Sequence, residues 1–164
     1  LFESECRSRG LLIVGKALSG KTTILRDLCR YIGGMFRVSL IDERQEIAAV
    51  YNGKPCLDVG LMTDVFSGYG KSDGIIRAVR CMSPDYIVTD ELGADAESIR
   101  QAVNSGSGLI MTAHADSIEE AYRNEGIRTV IDSGAIQHIA LVQSHRITAV
   151  KQLITAEANA VCTI

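Results

Sequence analysis

The stretch Leu11-Leu12-Ile13-Val14-Gly15-Lys16-Ala17-Leu18-Ser19-Gly20-Lys21-Thr22-Thr23 decides how the rest of the chain is read. Its first four residues form an apolar run of the length expected for a buried strand. Gly15 to Thr22 then follow the spacing G-x-x-x-x-G-K-[ST]. Beyond them, Lys21–Ile32 puts Ile24, Leu25, Leu28, Cys29 and Ile32 on one helical face. A random chain of this length meets the spacing roughly once in two hundred tries. Here a strand precedes it and a helix follows, which is the setting in which it grips phosphate. The glycines let the backbone bend so that N–H groups converge on an anion. Lys21 adds a positive charge, the Thr22 hydroxyl can ligate Mg²⁺, and the helix offers its free N–H groups and positive dipole end. The candidate nucleotide-binding residues are therefore Gly15, Lys16, Ala17, Leu18, Ser19, Gly20, Lys21, Thr22 and Thr23. A nucleoside triphosphate, ATP, is the expected ligand.

Working outward, Val38–Ile41, Tyr86–Thr89 and Leu109–Thr112 are further short apolar runs, each followed by polar residues or Gly. Runs of this kind mark strands of a parallel sheet covered on both faces. Helical periodicity lies between them, at Asp73–Cys81 and Ala96–Val103, and Ser117 with Glu120 has capping-box spacing ahead of a short helix through Tyr122. Strand and helix alternate, so the predicted class is α/β. Ile139–Val142 and Ile147–Val150 predict a closing β-hairpin. The segment Ile47–Gly70, with Gly53, Gly60, Gly68, Gly70 and Pro55, shows no clear period and is predicted to be an irregular excursion.

Three groups of polar residues fall at the ends of predicted strands, where α/β sheets bind ligands. Asp90-Glu91 follows Tyr86–Thr89. Asp90 is the candidate partner of Thr22 in holding hydrated Mg²⁺, and Glu91 the candidate general base for the attacking water. His114 closes the run from Leu109. In P-loop hydrolases with a catalytic Glu beside the metal ligand, this strand inserts between the acidic strand and the phosphate-loop strand. His114 would then face the γ-phosphate, with Thr112 behind it. Asp42-Glu43-Arg44 is a candidate for Mg²⁺-bound water or the nucleotide edge, or else an ordinary charged loop. Arg77 and Arg80, three apart on one predicted helix, share a face. Each is either solvated or an arginine finger reaching a neighbouring subunit's nucleotide, and the sequence does not separate them. Asp58 and Asp64 receive no role.

Composition bounds the rest. The chain has 164 residues, enough for one domain over 1–164 and little more. It begins at Leu1, so the expectation is the C-terminal part of a longer chain whose N-terminal domain lies outside it. Aromatic residues are 5% and Trp is absent, so the core must be aliphatic. The net charge of −3 argues against a broad nucleic-acid footprint. Cysteines 6, 29, 56, 81 and 162 are odd in number with no Cys-x-x-Cys, so neither a disulfide framework nor a zinc site is predicted, and a reducing cytoplasm fits. No apolar run has the length of a membrane span and no signal peptide is visible.

A wider set of motifs carries a family resemblance. Gly15–Thr22, Ser39-Leu40-Ile41-Asp42-Glu43-Arg44, Asp58-Val59-Gly60, Thr63-Asp64-Val65, Arg80-Cys81-Met82-Ser83-Pro84-Asp85, Asp90-Glu91 and Thr112-Ala113-His114 together resemble the stage III sporulation protein AA family. That family is similar in turn to the type II and type IV secretion and pilus ATPases. The likeness covers roughly residues 10–145. It implies a RecA-like P-loop NTPase core that hydrolyses ATP with Mg²⁺. It also implies a hexameric ring with ATP at subunit interfaces, and a peripheral place on the mother-cell side of the forespore membrane. The partners it implies are the stage III sporulation channel proteins. The secretion ATPases' tetracysteine zinc site has no counterpart here. The expected function is thus an ATPase driving a channel complex. A nucleic-acid-binding RecA-like ATPase is the alternative, disfavoured by the acidic balance and scarce stacking rings. A slowly hydrolysing nucleotide switch is the third possibility.

Overall fold

The computed structural model describes residues 10–93 and 96–153. Its elements in chain order are β1 (Leu11–Gly15), α1 (Lys21–Ile32), β2 (Val38–Asp42), β3 (Val50–Tyr51), β4 (Lys54–Pro55), β5 (Thr63–Ser67) and α2 (Lys71–Cys81). There follow β6 (Tyr86–Thr89), α3 (Ala96–Asn104), β7 (Gly108–His114), α4 (Ile118–Arg123), α5 (Glu125–Asp132), β8 (His138–Gln143) and β9 (Arg146–Gln152). Seven strands form one sheet in the order β5-β2-β6-β7-β1-β8-β9, and β3 pairs with β4 apart from it. All main-sheet pairings are parallel except β8 with β9. This is the expected α/β class, a RecA-like P-loop core with a mostly parallel sheet and a C-terminal hairpin.

Burial follows from the sequence pattern. In β1 all but the first residue are buried, and the two faces of the strand feed different cores. Leu12 and Val14 pack with Ile75 and Ala78 of α2, Ile99 and Ala102 of α3, and Ile127 and Val130 of α5. Ile13 points the other way, to Leu25, Cys29 and Ile32 of α1. Helices therefore cover both faces, as near-continuous apolar strands require. Burial pushes the Cys29 thiol up to about 12, so it behaves as a small apolar residue. Cys56 and Cys81 are free and exposed. Cys6 and Cys162 lie outside the described residues.

The excursion prediction needs correction. Residues 47–70 contain the short β3–β4 ribbon and an edge strand, β5, that pairs with β2 from Val38↔Thr63 to Asp42↔Ser67. An edge strand is covered less on both sides than a central one, and β5 has no fully buried residue, so the Thr63–Ser67 run lacks the apolar signature of its neighbours. Helix α5 was also absent from the sequence expectations. Gly126 and the β-branched Ile127, Thr129, Val130 and Ile131 give it low intrinsic propensity. An Asn124 side chain capping the Ile127 N–H at 3.2 Å and the burial of Ile127 and Val130 hold it instead. The Ser117 cap is present: its hydroxyl accepts from the Glu120 N–H at 3.1 Å.

Candidate functional site: a phosphate loop at the carboxyl edge of the sheet

Parallel pairing brings the strand ends to one edge. Gly15 pairs with His114 across β1 and β7, Thr89 with Met111 across β6 and β7, and Ile41 with Thr89 across β2 and β6. The residues that follow these positions are the ones marked by the sequence. Strand β7 does insert between β6 and β1.

The phosphate loop turns between β1 and α1. A Cβ on Gly15 would stand 2.5 Å from the Val142 carbonyl oxygen, so the loop leaves the sheet where only glycine fits. Gly20 precedes α1 at φ 101°, and no side chain caps the helix, whose first turn holds no acid. A helix start without a capping side chain is a position where backbone N–H groups can hold an anion. Lys21 is buried, 7% exposed. Its ammonium donates to the Gly15 and Lys16 carbonyls at 2.9 and 2.7 Å and lies 3.3 Å from His114 Nδ1. Burial depresses its pKa below 10.5, against the opposing pull of Asp90 and Glu91. An ammonium only donates, so in this contact Nδ1 of His114 is the acceptor. The other ring nitrogen, Nε2, lies 3.8 Å from Glu91 Oε1.

The acidic residues form a linked set. Thr22 Oγ1 donates to Asp90 Oδ2 at 3.1 Å, and Thr112 Oγ1 donates to Asp90 Oδ1 at 2.6 Å. The Glu91 N–H donates to Thr112 Oγ1 at 2.8 Å and to Asp90 Oδ1 at 3.0 Å. Glu91 is held at φ 55°, uncommon for a residue with a Cβ. Its carboxylate pairs with Arg44 at 2.7 Å. Thr22 and Asp90 thus offer two hard oxygen donors in contact, a set suited to Mg²⁺. A cleft of about 390 Å³ opens over these groups, lined by Ala17, Leu18, Gly20, Lys21, Thr22 and Thr23 on the loop side. Arg44, Glu46, Asp90, Glu91, Thr112, His114 and His145 line the rest.

Some marked residues lie elsewhere. The Lys16 side chain leaves the cleft to pair with Asp116 at 3.0 Å. Arg77 and Arg80 sit on exposed positions of α2 and neither lines the cleft. Arg77 is tied to Asp73 at 2.8 Å and stacks over Tyr69. Within Asp42-Glu43-Arg44 the three side chains part company. Only Arg44 enters the cleft, while Glu43 pairs with Lys71 at 2.9 Å. Asp42 is buried and accepts the N–H groups of Glu46, Ile47 and Ala48 at 3.0, 3.1 and 2.8 Å, which fixes the loop beyond β2. Asp42→Ala would leave these donors without an acceptor. It is expected to destabilise the chain by about 3 kcal/mol, read as a lower urea midpoint. An unchanged midpoint would mean water replaces the carboxylate.

Two cleft residues, Glu46 and His145, were not marked by the sequence. His145 had a signal: it falls in residues 143–146, between the two strands of the predicted hairpin, and the structure narrows that connection to the two-residue turn Ser144-His145. Glu46 had none, since its place depends on the Asp42 loop.

Comparison with known proteins agrees with this architecture. A family model described as sporulation stage III, protein AA matches residues 2–157. The chain is 31% identical over 132 residues to stage III sporulation protein AA of Bacillus subtilis (strain 168), covering 76% of this chain and 43% of that protein. It therefore spans less than half the length of that relative. Among solved structures it is similar to the VirB11 ATPase of the Brucella suis type IV secretion system in complex with sulphate, with TM-score 0.59, 18% identity, and 88% of this chain and 48% of that one covered. It is also similar to the pilus retraction motor PilT with bound ADP, with TM-score 0.52, 22% identity, and coverage of 82% and 42%. At these identities the shared property is the fold. The matched span and the Bacillus relative together decide the family: the chain belongs to the sporulation stage III protein AA family.

Proposed function

We propose that this chain binds ATP with Mg²⁺ on the loop Gly15–Thr23 and hydrolyses it, to drive a membrane-bound channel or secretion complex during sporulation. One observation carries the nucleotide reading. A buried lysine ammonium, satisfied only by carbonyls and an imidazole, lies beside an uncapped helix N-terminus and opens onto carboxylates. That arrangement suits a phosphate anion, with the hydrogen-bonded oxygens of Thr22 and Asp90 lining the same cleft to share it with a metal ion. The ADP in the PilT structure and the sulphate in the VirB11 structure are consistent with it.

In this reading the loop N–H groups and Lys21 hold the phosphates. Thr22 and Asp90 would hold the metal, which would supply positive charge to neutralise the phosphate oxygens. Glu91 takes the proton of the attacking water, and His114, between Lys21 and Glu91, contacts the terminal phosphate. For the water to be activated, Arg44 must release the Glu91 carboxylate. Arg80, exposed and without an ion-pair partner among the described residues, is better placed than the tethered Arg77 to reach a neighbouring subunit's nucleotide. The hexamer, the forespore-membrane location and the channel partners rest on the family likeness. Among the described residues no helix is long and apolar enough to cross a membrane.

Phosphate release from ATP is expected only with Mg²⁺ present, and molar mass in solution is expected to rise when nucleotide is added. Absence of Mg²⁺-dependent release from the assembled protein would refute the hydrolytic reading. Strong stimulation by single-stranded DNA would instead favour a nucleic-acid-dependent ATPase.

A further inference from the structure

The turn of the β8–β9 hairpin rests on the phosphate loop. The His145 N–H donates to the Ser19 carbonyl at 2.9 Å. A Cβ on Gly20 would fall 2.6 Å from His145 Nδ1, so the imidazole lies directly against the glycine that precedes Lys21. Ser144 and His145 both take left-handed backbone, at φ 47° and 60°. The strain of two such residues, neither a glycine, is sustained by the bond to Ser19 and the turn's own strand pairing.

Strand order then gives this ring a direction. Asp90 and Glu91 follow β6 and His114 ends β7, all on one side of β1, whereas the β8–β9 turn lies on the other. With strands spaced about 4.8 Å apart, the carboxylates sit roughly 10 Å from the β1 axis on their side, and the hairpin roughly 5 Å on its own. A triphosphate whose last phosphate meets the metal-binding oxygens must run back across the loop toward β8. Its nucleoside therefore emerges beside His145. His145 and the loop residues Ala17, Leu18 and Gly20, small or apolar and suited to a ring, line the same cleft.

We propose that His145 is a nucleoside-contacting residue: its imidazole, seated on Gly20, lies against the base and ribose of the bound nucleotide. This rests on the ATP-binding reading above and extends it to the half of the ligand that the phosphate loop does not touch. Imidazole can stack on a base as other aromatic rings do. The same contact ties the edge hairpin to the nucleotide, so the hairpin is expected to be better ordered when the site is filled.

The test is calorimetric titration of the 164-residue chain with ATP and with inorganic tripolyphosphate, each with Mg²⁺, for wild type and His145→Asn. Asparagine removes the ring but tolerates left-handed backbone, so the turn is kept. ATP affinity is expected to fall about tenfold while tripolyphosphate affinity stays the same. Unchanged ATP affinity overturns the inference and leaves the phosphate site standing. Equal losses for both ligands also overturn it, because the hairpin would then only prop the loop. Wild-type protein that binds neither ligand refutes the nucleotide reading itself.

Discussion

Lys21→Ala is expected to weaken ATP binding roughly a hundredfold, the usual penalty for removing one partner of a buried charge contact. The ammonium lies under the loop with two carbonyl bonds and no carboxylate in hydrogen-bond contact. Burial lowers its pKa below 10.5, against the opposing pull of Asp90 and Glu91. In the proposed complex a nucleotide phosphate adds a negative partner, so binding and stability are linked through this one side chain. Two measurements check this. Titration of the variant with ATP should show the lost affinity, and ATP should no longer raise the variant's thermal midpoint as it does that of wild type. The pH dependence has a defined sign. The unfolded chain holds the Lys21 proton to higher pH than the folded chain does. Stability of the ligand-free protein therefore rises with pH between the depressed folded value and the ordinary one. Lys21→Met should remove that rise. ATP affinity equal to wild type in either variant would refute the phosphate site.

Glu91→Gln is expected to lower turnover by about a thousandfold with little change in ATP affinity. The residue is at the cleft, its backbone held by Thr112 and Asp90, and its carboxylate is the one that both Arg44 and His114 approach. Glutamine keeps the shape and removes the basic oxygen, so binding contacts survive and proton abstraction does not. Single-turnover hydrolysis measured beside equilibrium binding separates the two effects. Unchanged turnover would move the base to Glu46, the other glutamate lining the cleft. Turnover lost together with affinity would give Glu91 a structural role, through its link to Arg44.

Most of the sheet could be read from the chain because central strands buried on both faces have no choice of residue. Tyr86–Thr89 is both the predicted and the observed strand, and Lys21–Ile32 both the predicted and the observed helix. Edge and surface elements carry weaker constraint. β5 is half covered and mixes Thr, Asp and Ser with Val and Phe, so only its pairing with β2 reveals it. α5 depends on a cap and a buried face more than on helix-forming residues.

The site divides in the same way. Spacing within one short segment determines the phosphate loop, because backbone N–H groups, glycine turns and the following helix are local. Placing Asp90, Glu91 and His114 at strand ends was also legible, since an apolar run that stops at a charge marks where a strand leaves the core. What those side chains do to one another was left to the tertiary structure. Asp42, Glu43 and Arg44 are adjacent in sequence, yet one holds a loop, one pairs with Lys71 and one reaches Glu91. Strand crossovers and long-range packing decide such partnerships, and a linear pattern does not encode them. The seat of His145 on Gly20 joins residues 125 positions apart, brought together by the parallel pairing of β1 with β8. Sequence by itself thus determined the glycine-lysine-threonine loop between strand and helix, whose physics is local. The tertiary structure alone decided that Glu91 meets Arg44 and that His145 sits on Gly20, because both contacts depend on strand order.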